Sequence, residues 1–264
     1  MKDLNIAIIQ ADIIWRKPVD NRRQFGFMIH AISSDADLIV LPETFTTGFP
    51  VNPAIYAEEC GGETMQWMHE QAAKKDAVIC GTIPLKVEDK YYNSLVWMRP
   101  DGTFELYHKR HPFSIGGEDK LVTAGNERLI VRLKEWKICP MICYDLRFPV
   151  WARNHYNTDG YEYDILLYTA NFPNSRMLVW NTIPVARAIE NQSYVIAVNR
   201  IGSDPNGLKY DGASMVVDPK GKIIFSAPLK QESIHEVTLE ASALTGFRTK
   251  FPLGPDWDSF CVVK

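Results

Sequence analysis

The chain has 264 residues, 46% of them hydrophobic and 23% charged, with a formal net charge of -3 and a pI near 6.1. That composition can fill a sizeable core, leaves no basic footprint for nucleic acid, and contains no apolar run long enough to cross a bilayer. The five cysteines (60, 80, 139, 143 and 261) are an odd number without paired spacing, so they read as thiols in a reducing, cytoplasmic setting rather than as a disulfide framework.

The start, Met1 to Ile6, lacks a signal-type apolar region and passes directly into a strand expected at 4–10. A helix follows over 18–33 with Pro18 at its opening, then a strand at 37–41 and a helix over 64–75. Strands are predicted at 77–83, 92–98 and 103–108, with Asp101-Gly102 as the hairpin turn between the last two. Two more are predicted at 128–133 and 136–142, then a helix over 148–155, a strand at 163–169 and a helix over 176–190. Strands at 194–199, 213–217, 222–226 and 234–239 complete the pattern, with a turn at Pro219 to Gly221. Helices alternate with parallel-type strands while hairpins add antiparallel ones, which predicts layered α/β with a mixed sheet or two sheets. Without a repeat or a Gly/Ser linker, residues 1–264 read as a single domain. The tail from about 241 to 264 carries Phe247, Phe251, Trp257 and Phe260, and is expected to pack on the core or on a partner subunit.

Three strand-like runs lead into residues that can carry chemistry. The run at 37–41 leads into Pro42-Glu43-Thr44-Phe45, the run at 104–108 into Lys109, and the run Trp136 to Ile142 into Cys143-Tyr144-Asp145-Leu146-Arg147-Phe148-Pro149. In open α/β sheets, active sites gather beyond the carboxyl ends of strands, so Glu43, Lys109 and Cys143 could converge although they are far apart in sequence. A thiol at a strand end has a rigid platform behind it and open space ahead, as a nucleophile requires. Cys139 and Cys143 lie four apart, and His108 and His111 three apart, without further partners; neither pair has metal-ligand spacing, so neither metal nor cofactor is expected.

Leu41-Pro-Glu-Thr-Phe45, Tyr107-His-Lys-Arg-His-Pro-Phe113, Ile142-Cys-Tyr-Asp-Leu-Arg-Phe-Pro149 and Arg187 to Gly202 resemble, in order, the nitrilase or carbon-nitrogen hydrolase superfamily with its Glu-Lys-Cys triad. The resemblance runs from Asn5 to the Asp218–Gly221 turn and looks like the omega-amidase branch of bacterial type. It implies a four-layer α-β-β-α sandwich with two mixed sheets whose monomers pair through their helical layers, hence a homodimer or higher homo-oligomer. It also implies Glu43 as base and later acid, Lys109 as oxyanion holder, Cys143 as nucleophile, and the Tyr144 N–H as a second oxyanion donor. Glu118 matches the second glutamate seen in many members, which positions the lysine or the hydrolytic water. No histidine is needed, which separates this chemistry from Cys–His peptidases.

Arg147, four residues past the nucleophile, offers a guanidinium that can take a carboxylate bidentately. Phe45, Phe49 and Phe172 are candidate aromatic walls, with plain core packing as their other reading. Asn171 is a candidate substrate contact, and Arg187, in Arg187-Ala-Ile-Glu190-Asn191, reads as a structural ion-pair partner rather than a substrate ligand. The implied activity is hydrolysis of the terminal amide of 2-oxo dicarboxylic acid monoamides, 2-oxoglutaramate or 2-oxosuccinamate, through a cysteine thioester. Deaminated glutathione, a carbamoyl compound or a nitrile are alternative substrates within the superfamily. A catalytically silent binding module is the alternative outside it.

Overall fold

The computed structural model describes residues 1–33 and 35–262. Two mixed sheets form its centre. The first has strands in the order Ser233–Leu239, Leu4–Gln10, Leu38–Val40, Val78–Val87, Lys90–Met98 and Phe104–His108. Leu4–Gln10, Leu38–Val40 and Val78–Val87 run parallel, with Ile6 beside Leu38 and Val40 beside Cys80, and the outer strands add antiparallel. In the second sheet the order is Ile223–Ser226, Met215–Val217, Tyr194–Asn199, Ile165–Ala170, Trp136–Ile142 and Val131–Leu133. There too, the three central strands are parallel.

Period-2 alternation assigns the faces. Leu4, Ile6 and Ile8 point into the core shared with the second sheet, where they join Leu95, Trp97, Ile138 and Met141. Ala7 and Ile9 point the other way, into a separate core against the helices Pro18–Ala31 and Glu63–Lys75 through Phe25, Ile29, Met65 and Met68. Strands covered on both faces read as continuous apolar runs, which is why these strands were conspicuous in the sequence. The helix Met177–Asn191 seals the outer face of the second sheet with Trp180 and Ala188. The layers are therefore helix, sheet, sheet, helix.

Three local expectations change. The helix expected at 148–155 is only Pro149–Ala152, because the backbone after Ala152 turns extended at Arg153. The Val78–Val87 and Lys90–Met98 hairpin is longer than the apolar pattern suggested, since Pro84, Lys86 and Lys90 interrupt that pattern without interrupting the ladder. The aromatic tail contains an unforeseen helix, Ala241–Lys250, whose Leu244 is fully buried. Its first turn is capped by Asp3, which accepts the Ala241 N–H at 2.8 Å. Arg248 donates to the carbonyls of Gln192 (2.9 Å) and Tyr163 (2.8 Å) and pairs with Asp164, while Arg153 lies 4.3 Å from the Trp257 ring centroid. The described part of the tail packs on its own chain.

Candidate active site

Strand ends from both sheets meet at one end of the sandwich. Glu43 follows Leu38–Val40, Lys109 follows Phe104–His108, Cys143 follows Trp136–Ile142, and Asn171 follows Ile165–Ala170. Lys109 is held by its own N–H on the Asn93 carbonyl (2.9 Å) and by its carbonyl, which accepts from Gly125 at 2.8 Å. A side chain at Gly125 would strike the His108 carbonyl, only 2.1 Å from its Cβ position, so the close approach requires glycine. Lys109 and Cys143 border a cavity of about 360 Å³ that also touches Tyr144, Arg147, Asn171 and Phe172.

Lys109 is 1% exposed. Its Nζ donates to Glu43 Oε1 and to Glu118 Oε2, each at 2.8 Å. Asn93 Nδ2 bridges the same two carboxylates, at 2.9 Å from Glu43 Oε1 and 3.0 Å from Glu118 Oε1. Glu43 Oε2 accepts the Asn171 backbone N–H at 2.8 Å, and Glu118 Oε2 accepts that of Phe113 at 2.6 Å. Burial opposes the ammonium, but the Glu118 and Glu43 carboxylates outweigh it and hold the Lys109 pKa above its ordinary value. Lys109 is thus a fixed cation and cannot act as a base near neutral pH. Glu118 is buried with it, so its carboxylate is not a solvated loop charge.

Cys143 sits at φ 43°, in the left-handed region that a non-glycine residue occupies only when its surroundings enforce it. The enforcement comes from Asp145, which is fully buried. Its Oδ2 accepts from the Ile142 N–H (3.1 Å) and the Tyr107 hydroxyl (2.7 Å), while its Oδ1 accepts the His111 N–H at 3.0 Å. The sharp turn stops the strand and aims the thiol at the cavity. Thr44, just after Glu43, has a similar φ of 42°, and its N–H is tied to Thr82 Oγ1 at 2.6 Å. Although Cys143 keeps some surface on the cavity, desolvation pushes its thiol pKa well up; Glu43 adds to this and Lys109 opposes it. Cys143 therefore rests as a thiol rather than a thiolate. Asp145→Asn places an amide donor among N–H and O–H donors, and the expected cost is about 2–3 kcal/mol. That corresponds to a Tm fall on the order of 5–10 °C; a thermal melt within 1 °C of the parent, with turnover unchanged, would remove Asp145 from this role.

The walls sort the remaining candidates. Phe49 lines the cavity, 5.1 Å from Lys109 Nζ by its ring centroid. Phe172 lines it too while its other side enters the core. Phe45 does not: it is fully buried and packs on Phe25 and Trp67, with centroids 5.5 and 5.8 Å away, because its ring points to the helical side of the first sheet. Asn171 Nδ2 is committed to the Glu43 carbonyl (2.9 Å) and Thr44 Oγ1 (2.8 Å), whereas its buried Oδ1 has no partner among the described residues. Arg187 pairs with Glu190 at 2.8 Å and donates to the Leu146 carbonyl at 2.9 Å, a structural brace. Arg147 borders the cavity with its guanidinium carbon 5.9 Å from the Phe172 ring centroid, and among the described residues it has no carboxylate partner. The Asp145 oxygens are taken by other donors, so Arg147 does not brace them. The sequence did not single out Asn93, nor Arg176 and Tyr210, which also line the cavity. Asn93 left one signal, a poor strand former inside the run Lys90–Met98; the others left none. Among the described residues no cluster of three or more His, Cys, Asp or Glu could hold a metal ion.

The family model for carbon-nitrogen hydrolases matches residues 5–248. The chain is 40% identical to the omega-amidase YafV of Escherichia coli K12 over 260 residues, covering 98% of this chain and 99% of that protein. It is 33% identical to the 2-oxoglutaramate amidase of Bacillus subtilis 168, covering 90% and 92% of the two chains. A CN-hydrolase superfamily protein from Xanthomonas campestris, crystallised with an arsenic adduct in its active site, superposes with a TM-score of 0.97 at 41% identity over all of both chains.

Proposed function

The chain belongs to the carbon-nitrogen hydrolase family, and from that premise we propose that it hydrolyses the terminal amide of small 2-oxo dicarboxylic acid monoamides, 2-oxoglutaramate first and 2-oxosuccinamate second. The relatives named omega-amidase and 2-oxoglutaramate amidase support the substrate class. The observation that carries the reading is a cavity bordered by Cys143, by Lys109 with its ammonium on the buried Glu43 and Glu118, and by Arg147, which has no carboxylate partner among the described residues.

The mechanism follows from those positions. Glu43 takes the thiol proton as Cys143 Sγ attacks the amide carbon. The developing oxyanion is stabilised by the Lys109 ammonium and the Tyr144 N–H, which lies in the first turn of the short helix Cys143–Arg147 and so outside any intrahelical ladder. Glu43 returns the proton to the leaving nitrogen, ammonia departs, and a thioester remains. Water, deprotonated by Glu43, then releases the acid. Glu118 keeps Lys109 charged and in place throughout, and Asn93 ties the two carboxylates to one amide donor. Phe49 and Phe172 exclude solvent from the acyl chain, and Asn171 borders the same space.

Arg147 takes the distal carboxylate in this scheme. Arg147→Ala is expected to cost about 2–4 kcal/mol in kcat/KM on 2-oxoglutaramate, the range for a truncated charge pair. Arg147→Lys should fall between, because the planar fork is lost while the charge stays. A neutral amide of equal length should be turned over unchanged. Ammonia release from both substrates decides it: an equal drop on the two takes Arg147 out of the binding site.

The same reading carries a homodimer formed through the outer helices, supported by Leu178 and Ile189, which are 81% and 50% exposed on Met177–Asn191. A monomeric mass in sedimentation equilibrium would exclude it. Five free thiols support a cytoplasmic setting.

A further inference from the structure

Arg147 is not the only guanidinium on the cavity. Arg176 also borders it, placed by the Ile165–Ala170 strand and the short turn Asn174–Arg176 that opens the helix Met177–Asn191. Its backbone is pinned by an N–H to the Pro173 carbonyl at 3.0 Å. Its guanidinium carbon stands 4.6 Å from the Phe113 ring centroid, a cation–π contact that orients the charge without neutralising it. Among the described residues neither Arg147 nor Arg176 is joined to a carboxylate.

Beyond the buried network, the acid bordering this cavity is Asp204. Its Oδ1 is already engaged by the N–H groups of Asn206 (2.9 Å) and Leu208 (3.0 Å) in its own turn. Those bonds stabilise the carboxylate without removing its charge, so the cavity lining sets the Arg147 and Arg176 guanidinium groups against one carboxylate. A substrate's carboxylate and a neighbouring carbonyl oxygen are both attracted to those guanidinium groups, whereas an ammonium beside the carboxylate meets like charge in a partly desolvated space.

We propose that Arg176 is the residue by which the site selects 2-oxo acids over 2-ammonio acids, facing the 2-oxo oxygen while Arg147 holds the carboxylate. This rests on the reading of the cavity as a site for amides with a distal carboxylate. It separates 2-oxoglutaramate from glutamine, which has the same chain length and the same scissile amide and differs only at the carbon next to the carboxylate. Selection by repulsion of the unwanted partner is as effective as an added attraction. The competing role for Arg176 is mechanical, a prop under Phe113, whose N–H holds Glu118; a prop would serve every substrate alike.

The test measures kcat/KM of the parent, Arg176→Met and Arg176→Lys on 2-oxoglutaramate, glutaramate (which carries no substituent at that carbon), glutamine and pentanamide. Arg176→Met should lose about 10- to 100-fold on 2-oxoglutaramate, the scale of one charged hydrogen bond. Pentanamide should stay within about 3-fold of the parent, which also reports an intact catalytic centre. Glutamine should hold or improve, so that the 2-oxoglutaramate to glutamine ratio falls at least about 10-fold. Glutaramate should lose less than 2-oxoglutaramate. Arg176→Lys, retaining the charge, should keep glutamine excluded. A uniform loss on all four substrates, or an unchanged ratio, overturns the proposal while leaving the substrate reading intact. A parent enzyme that cleaves pentanamide but neither 2-oxoglutaramate nor glutaramate overturns the substrate reading, and the selection role with it.

Discussion

Cys143→Ala is expected to end amide turnover, with a loss on the order of 10³-fold or more, as when any covalent nucleophile is removed. The fold should survive. Cys143 is half-buried at a cavity edge rather than in the core, and alanine keeps the same backbone demands, so the stability change should stay within about 1 kcal/mol. The intermediate gives a second readout, since acid quench during turnover followed by peptide mass analysis should find the acyl group on the peptide containing Cys143. Cys139, four residues earlier, is the useful control. It is fully buried inside the second sheet, and burial pushes its thiol up to about 12, so it is neither reachable nor ionised. Acyl transfer to Cys139, or full turnover by Cys143→Ala, would sink the nucleophile assignment.

Glu43→Gln is expected to lower kcat by about 10²- to 10⁴-fold, the usual range for a general base, at every substrate concentration. Glutamine preserves the shape but presents an amide N–H₂ where Lys109, Asn93 and the Asn171 N–H all donate. Lys109→Ala leaves the Glu43 and Glu118 carboxylates buried without their cation, so it should lose activity and about 3–5 kcal/mol of stability. Because Glu43 and Lys109 act as one unit, the double variant should be about as slow as the worse single one rather than the product of both. A full sum of the two penalties would place them in separate sites. The thiol responds in the opposite sense. Desolvation raises the Cys143 pKa first and the Glu43 charge second, against Lys109. Removing that negative charge lowers the pKa, and a lower pKa means more thiolate near neutral pH. Glu43→Gln should therefore be alkylated by iodoacetamide faster than the parent while hydrolysing amide more slowly. Alkylation that slowed in parallel with turnover would show that Glu43 ionises the thiol at rest, contrary to this account.

The sequence by itself determined the alternation of elements and which of them were buried on both faces, because a strand covered twice must be apolar throughout. Leu4–Gln10, Trp136–Ile142 and Tyr194–Asn199 were all readable on that ground. It also marked Glu43, Lys109 and Cys143 as strand-end residues that could converge, and their roles came from the resemblance of the flanking strings to carbon-nitrogen hydrolases. What lay beyond it were contacts between distant segments. Glu43 and Asn171 are 128 positions apart, and only the packing of one sheet on the other sets their 2.8 Å contact. Direction was equally hidden. Phe45 and Phe49 look alike in the sequence, yet the turn at Thr44 sends one into the helical core and leaves the other at the cavity. Asn93 and Arg176 drew no notice for the same reason: a polar residue in a strand and an arginine at a helix start are ordinary by themselves. The left-handed turn at Cys143 depends on Asp145 being gripped by Tyr107 and His111 from another strand end. Composition and periodicity report what a residue's own neighbourhood wants, whereas a catalytic geometry is a set of distances between neighbourhoods, and those are decided only when the two sheets close on a common core.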